Sequence, residues 1–141
     1  MQIKKAILNV YSDGASSGNP GPSGIGYVIE DAEGNIIFKY SEFIGNTTNN
    51  VAEYTALLKA IEKTIELTPK KVRFYSDSEL LVKQLKGEYK VKSKNLIGLY
   101  QAVVSKLSLL NYDIVHIKRD NNKLADNLAK SAIKNGIRSF T

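Results

Sequence analysis

The sequence contains no cysteine, so neither a disulfide framework nor a thiolate metal site is open to it, which fits a reducing compartment. Histidine is almost as scarce: His116 is the only one, and no nucleophile-elbow serine accompanies it, which sets a Ser-His hydrolase aside. No apolar run approaches the roughly 20 residues that a membrane-spanning helix needs. Met1-Gln2-Ile3-Lys4-Lys5 leads straight into a strand-like stretch without the apolar core of an export signal, so a cytoplasmic protein is expected. The glycine-rich run Gly21-Pro22-Ser23-Gly24-Ile25-Gly26 enters a strand rather than a helix, and no G-x-x-x-x-G-K-[ST] occurs. Both observations weigh against a nucleotide-binding or redox domain. Internal repeats, linkers and low-complexity tracts are missing as well.

What is present suits one compact domain. The chain has 141 residues, 43% of them apolar, enough for one sizeable core and too few for two ordinary domains. The domain is expected over residues 1–135, with 136–141 as a loose tail. Charge is distributed unevenly. Residues 1–70 carry 6 basic against 8 acidic side chains, a net of −2, and residues 71–141 carry 14 against 6, a net of +8. The excess concentrates in Lys83, Lys86, Lys90, Lys92 and Lys94, which meet one acid, Glu88, within twelve residues. Such a cluster is either a solvated helix face or a footprint for a phosphate backbone.

Residues 5–13, 23–31 and 35–44 are rich in Ile, Val, Tyr and Phe and read as three consecutive strands, the last two joined by a turn at Asp31–Asn35. From Val51 the period changes: Val51, Tyr54, Leu58, Ile61 and Ile65 recur at spacings of 3 and 4, an amphipathic helix closed by Pro69. A strand at 72–76, helices at 78–86 and 94–110, a strand at 112–118, a polar turn at 119–122 and a helix at 123–134 complete the pattern. Helices entering between the fourth and fifth strands require crossover connections, hence an α/β fold with a mixed sheet.

Two strands end in the same tripeptide, Tyr11-Ser12-Asp13 and Tyr75-Ser76-Asp77. If they are parallel neighbours in register, both carboxylates leave one edge of the sheet. Carboxylates held that close raise one another's pKa unless a cation lies between them, and oxygen-only ligands favour a hard ion such as Mg²⁺ or Mn²⁺. Glu53 and Asp126 stand near the starts of two helices, at the margin of each apolar stripe. Each has a structural alternative. Asn50 and Glu53 have capping-box spacing, Asp77 could cap the helix after it, and Asp126 could face a helix dipole. Only Asp13, leading into Gly14, lacks a helix-end role.

The runs Asp13-Gly14-Ala15-Ser16-Ser17-Gly18-Asn19-Pro20-Gly21, Thr48-Asn49-Asn50-Val51-Ala52-Glu53-Tyr54, Tyr75-Ser76-Asp77-Ser78 and Arg119-Asp120-Asn121-Asn122-Lys123-Leu124-Ala125-Asp126-Asn127-Leu128-Ala129 resemble, in order and spacing, the ribonuclease H type 1 family. The resemblance runs from the first strand to the last helix. It implies a five-stranded mixed sheet of order 3-2-1-4-5, strands 1–3 antiparallel, with helices on both faces. It also implies an endonuclease that cuts the RNA strand of RNA/DNA hybrids and leaves 3′-hydroxyl and 5′-phosphate ends. Asp13, Glu53, Asp77 and Asp126 match the four acids that bind two divalent ions. Asn19, Asn49 and Asn50 match positions at the hybrid's minor groove, where ribose 2′-hydroxyls are exposed, and Thr48 matches a position at a DNA phosphate.

The sequence departs from the best-known bacterial members in one respect: they carry a mobile histidine in the turn before the last helix, whereas His116 falls within the fifth strand. The turn offers Arg119 instead, as in a subset that includes archaeal-type members, and an auxiliary electrostatic role is expected of it. Lys90 and Lys92 lie where some members carry a long basic handle or a separate hybrid-binding domain, and are expected to meet substrate. The chain is expected to work as a monomer, without a membrane or an obligatory protein partner. The alternatives are a non-catalytic nucleic-acid-binding module on the same fold and a domain derived from a reverse transcriptase or transposase.

Overall fold

The computed structural model describes residues 6–139. Five strands, β1 (Ile7–Ser16), β2 (Gly21–Glu30), β3 (Ile36–Thr47), β4 (Lys71–Ser76) and β5 (Tyr112–His116), form one sheet in the order β3-β2-β1-β4-β5. The pairs β1–β2 and β2–β3 are antiparallel, and β1–β4 and β4–β5 are parallel, as expected. The α-helices among the described residues are α1 (Asn49–Leu67), α2 (Glu79–Leu85), α3 (Lys94–Leu107) and α4 (Lys123–Ser139). Among the described residues no helix is long and apolar enough to cross a membrane.

Alternation along the strands divides the sheet into two faces. Leu8, Val10, Tyr27, Ile29, Val72, Phe74 and Ile114 point to one side, where they pack with Tyr54, Leu57 and Ile61 of α1 and Val103 and Leu107 of α3. Burying side chains of this size stabilises by about 1.5–3 kcal/mol each. On the opposite face α4 lies against β2 and β3 through Ala125, Ala129 and Ala132, all buried, a stripe of small residues that lets helix and sheet approach closely. Gly26 completes the fit, because a Cβ there would stand 2.6 Å from the Ala125 carbonyl oxygen.

Three sequence expectations change. The buried face of α1 is Ala52, Ala56, Leu57, Ala60, Ile61 and Thr64 with Tyr54, so the stripe is centred about one residue from the Val51-Leu58-Ile65 line, whose members are half-buried. Small residues carry the contact, and a periodicity of large residues does not reveal them. The last helix does not end at Lys134: it continues to Ser139, with Gly136 buried, so residues 136–139 belong to α4 and not to a loose tail. Residues 140 and 141 lie outside the described residues. The fifth strand stops at His116 and α3 at Leu107, each two or three residues short of its expected end.

Candidate active site

The repeated tripeptides fall in register. Tyr11 pairs with Tyr75 across the parallel β1–β4 ladder, and their rings stack at 4.7 Å with 12° between planes. Asp13 and Asp77, two residues further on, therefore leave the same edge of the sheet. Glu53 is brought to them by α1, which crosses directly over Gly14: a Cβ at that position would overlap the backbone of Ala52 and Glu53, so only glycine permits the approach. Asp13, Glu53 and Asp77 each place a carboxylate oxygen within 4.8 Å of the others. Asp126, from the first turn of α4, joins them in lining one open cleft of about 650 Å³.

The capping alternatives do not hold. Thr48, not Asn50, is the N-cap of α1, its hydroxyl oxygen accepting from the Val51 N–H at 3.3 Å. Glu53 therefore lies in the second turn, beyond capping-box reach. Ser78 caps α2, accepting from the Leu81 N–H at 3.2 Å, which leaves the Asp77 carboxylate to the cleft. The margin position expected for Glu53 also requires correction, since it is half-buried in line with the buried face of α1; Asp126 stands beside the buried alanines of α4 at the cleft, only 8% exposed.

Electrostatics follow from this crowding. Asp13 is pushed up to about 9, first by burial, then by the charge of Asp77, a hydrogen bond shared with Asp126 and the charge of Glu53. Glu53 is raised to about 7, chiefly by burial and further by Asp77, while a hydrogen bond from Ser78 and the charge of Arg119 oppose the shift. Burial also pushes Asp126 upward, but the hydrogen bonds from Lys130 and with Asp13 and the charges of Lys130 and Arg119 outweigh it, so its carboxyl titrates below the usual value. Lys130 Nζ lies 3.0 Å from Asp126 Oδ2 and Arg119 Nη2 lies 3.7 Å from Oδ1. Asp126 Oδ1 is nonetheless buried without a hydrogen-bond partner. An oxygen-only cluster of mutually repelling carboxylates, one of them with a buried acceptor unused, fits hard divalent cations.

Other expected residues are distributed unevenly around this centre. Arg119, in the 3₁₀ turn Arg119–Asn121, and Asn49 line the cleft. Asn19 sits at the tip of the β1–β2 turn, where its side-chain oxygen accepts from the Asn49 N–H at 3.0 Å, so turn and helix start form one unit with Thr48 and the exposed Asn50. Lys90 and Lys92 are not part of the cleft. They occupy the exposed loop between α2 and α3, with Lys90 beside Tyr89, Val91 and Tyr100 in a separate depression. His116 ends β5, exposed and near the charge of Glu79, outside the cleft.

Four contributors are absent from the sequence-based set. Asn122 is buried, and its amide donates to the Ser12 carbonyl oxygen at 3.0 Å and to Asp77 Oδ2 at 3.3 Å, bracing the ends of β1 and β4 together. Ser78 supports Glu53. Lys130 holds Asp126, and Lys134 lines the cleft one turn further along. The i, i+4 spacing of Asp126 and Lys130 could have disclosed the ion pair; for Asn122 and Ser78 nothing in the sequence marks the contact.

A family model described as reverse transcriptase-like matches residues 11–132. A bifunctional protein of Mycobacterium tuberculosis is 38% identical over 128 residues, 88% of this chain, which spans only 35% of that relative's length. A ribonuclease H of Chlorobaculum parvum is 36% identical over 143 residues, covering 90% of this chain and 95% of the relative. Among solved structures, LC11-RNase H1 in complex with an RNA/DNA hybrid superposes with a TM-score of 0.88 at 40% identity, covering 92% of this chain and 99% of that one.

Proposed function

The chain belongs to the ribonuclease HI family, and from that premise we propose that it hydrolyses the RNA strand of RNA/DNA hybrids, leaving 3′-hydroxyl and 5′-phosphate ends. The observation that carries this is the convergence of Asp13, Glu53 and Asp77 within 4.8 Å, with Asp126 on the same cleft. Two Mg²⁺ or Mn²⁺ ions bound by these four acids would supply the acidity for the attacking water and the charge that steadies the leaving oxygen.

The remaining steps belong to the chain's own groups. Asp13 and Asp77 form a rigid base on paired strands, and the Asn122 amide keeps the Asp77 carboxylate turned to the cleft. Glu53 is positioned by α1 and by the Ser78 hydroxyl. Arg119, 70% exposed beside Asp126, attracts the phosphate and offsets negative charge developing there. Its help is electrostatic, through a planar guanidinium that only donates hydrogen bonds. Asn19, Asn49 and Asn50 read ribose hydroxyls from the braced turn, Thr48 meets a phosphate while capping α1, and Lys90 and Lys92 supply a more distant electrostatic contact. The enzyme is proposed to act as a cytoplasmic monomer.

The test is incubation with an end-labelled RNA/DNA hybrid with and without Mg²⁺ or Mn²⁺. Cleavage of the RNA strand alone, dependent on the ion and yielding 3′ ends that a polymerase extends, is expected. Asp77→Asn should abolish it while leaving a folded protein. Ion-independent cleavage, or an uncut hybrid at every ion concentration, would overturn the proposal.

A further inference from the structure

Beyond Asp126, α4 continues along the wall of the cleft with Lys130, Ile133, Lys134 and Ile137. Asp126, Lys130 and Lys134 are spaced i, i+4, i+8, so their side chains follow one edge of the helix, with the two isoleucines beside them. The acid centre thus passes within two turns into a cationic and apolar edge. The two lysines differ: Lys130 is engaged by Asp126 at 3.0 Å, whereas Lys134 is exposed and has no ion pair among the described residues. Ile137 is 43% exposed although it lines the cleft. The two lysine Cα atoms are about 6 Å apart along the axis, comparable to the spacing of neighbouring phosphates on one strand.

We propose that this edge of α4 is a binding subsite for the phosphodiester backbone flanking the scissile bond, with Lys134 as its principal phosphate contact and Ile133 and Ile137 as the apolar surface under the adjoining sugar. The proposal rests on the nuclease function above. Two features single out this surface. It is continuous with the carboxylate cleft, so a strand whose reacting phosphate lies at the acids and which runs along α4 meets Lys134 without turning. It also offers a cation with no ion pair among the described residues, whereas Lys130 is bound to Asp126 at 3.0 Å and Arg119 stands 3.7 Å from the same carboxylate. The lysine loop at 83–94 lies outside this cleft and is a separate contact.

Binding of a fluorescent RNA/DNA hybrid is measured by anisotropy in EDTA, which prevents turnover, over a series of salt concentrations. Lys134→Ala should flatten the log Kd against log[salt] slope by about 0.7–0.9, the contribution of one phosphate contact, and Lys134→Arg should restore it. Ile137→Ser should weaken binding severalfold at an unchanged slope, since it removes apolar contact and no charge. Lys63→Ala, on α1 and paired with Glu66, should match wild type in both respects. If wild type binds but Lys134→Ala keeps its slope, the subsite is refuted, and Lys134 is merely a solvated residue favoured near a helix C-terminus. If wild type shows no affinity for the hybrid, the nuclease assignment falls with it.

Discussion

Asp13→Asn should make the ion-free protein more stable. Asp13 is 7% exposed and is raised from 3.8 to about 9. Between those values the folded chain holds a proton on Asp13 that the unfolded chain has released, so wild-type stability falls as pH rises across this window. At pH 8 the gap to the unfolded value is 8 − 3.8 = 4.2, and at about 1.4 kcal/mol per pH unit the penalty is at most about 6 kcal/mol. The hydrogen bond shared with Asp126 relieves part of it, so about 2 kcal/mol is the expected gain at pH 8. Asparagine is close in shape and does not ionise, and so escapes the penalty. Urea denaturation in EDTA at pH 5 and pH 8 measures it: the variant's advantage should be larger at pH 8. Saturating Mg²⁺ should reverse the order, because ligand at a hundredfold excess over Kd stabilises the native wild type by about 2.7 kcal/mol. A variant no more stable than wild type at pH 8, or one whose advantage is independent of pH, would refute the reasoning.

Arg119→Ala should lower kcat roughly tenfold to a hundredfold at saturating ion, with Arg119→Lys recovering part of the loss and His116→Ala nearly silent; a large loss for His116→Ala beside a normal rate for Arg119→Ala would reverse the assignment. Replacing Lys90, Lys92 and Lys94 together by Ala should weaken hybrid binding and flatten its salt dependence, and an unchanged slope would leave the loop as a solubilising surface. Gly14→Ala should destabilise by about 1–3 kcal/mol through overpacking against α1 and weaken Mg²⁺ binding by calorimetry as Glu53 is displaced. Wild-type stability in that variant would show that the approach of α1 to β1 is not tight.

Much of this was legible because the signals are local. The Tyr-Ser-Asp repeat disclosed two parallel strands in register, and helix and strand periods separated the elements. What escaped depends on small or neutral groups. Ala52, Ala56, Ala60 and Thr64 set the buried face of α1, so a stripe drawn through Val51, Leu58 and Ile65 is displaced from it and puts Glu53 at its margin. Past Lys134 the buried position of α4 is Gly136, where a Cβ would meet the Phe43 ring, and a glycine there reads as a helix end in the sequence. Thr48 rather than Asn50 caps α1, a choice between adjacent good caps that composition does not resolve. The contact of Asn122 with Ser12 spans 110 residues, and no spacing rule reaches that far.

These less visible contacts explain how four acids can be held together before any ion arrives. Left alone, the carboxylates would repel one another and pull the ends of β1, β4, α1 and α4 apart. The chain opposes this in three ways: a proton retained on Asp13, cations from Lys130 and Arg119 on Asp126, and neutral donors from Asn122 and Ser78 on Asp77 and Glu53. Each leaves the acids in place while satisfying them only partly, as Asp126 Oδ1 shows, buried and without a hydrogen bond although Arg119 stands 3.7 Å away. Asp13, Glu53, Asp77 and Asp126 would therefore hold a divalent ion from a preorganised arrangement, losing a proton and loosening an ammonium group without ordering a loop. Metal binding should accordingly release protons near neutral pH, and titration calorimetry of wild type in two buffers of different ionisation enthalpy checks this. Heats that are equal in the two buffers would mean that Asp13 and Glu53 are already ionised, and that the bracing contacts alone hold the cluster.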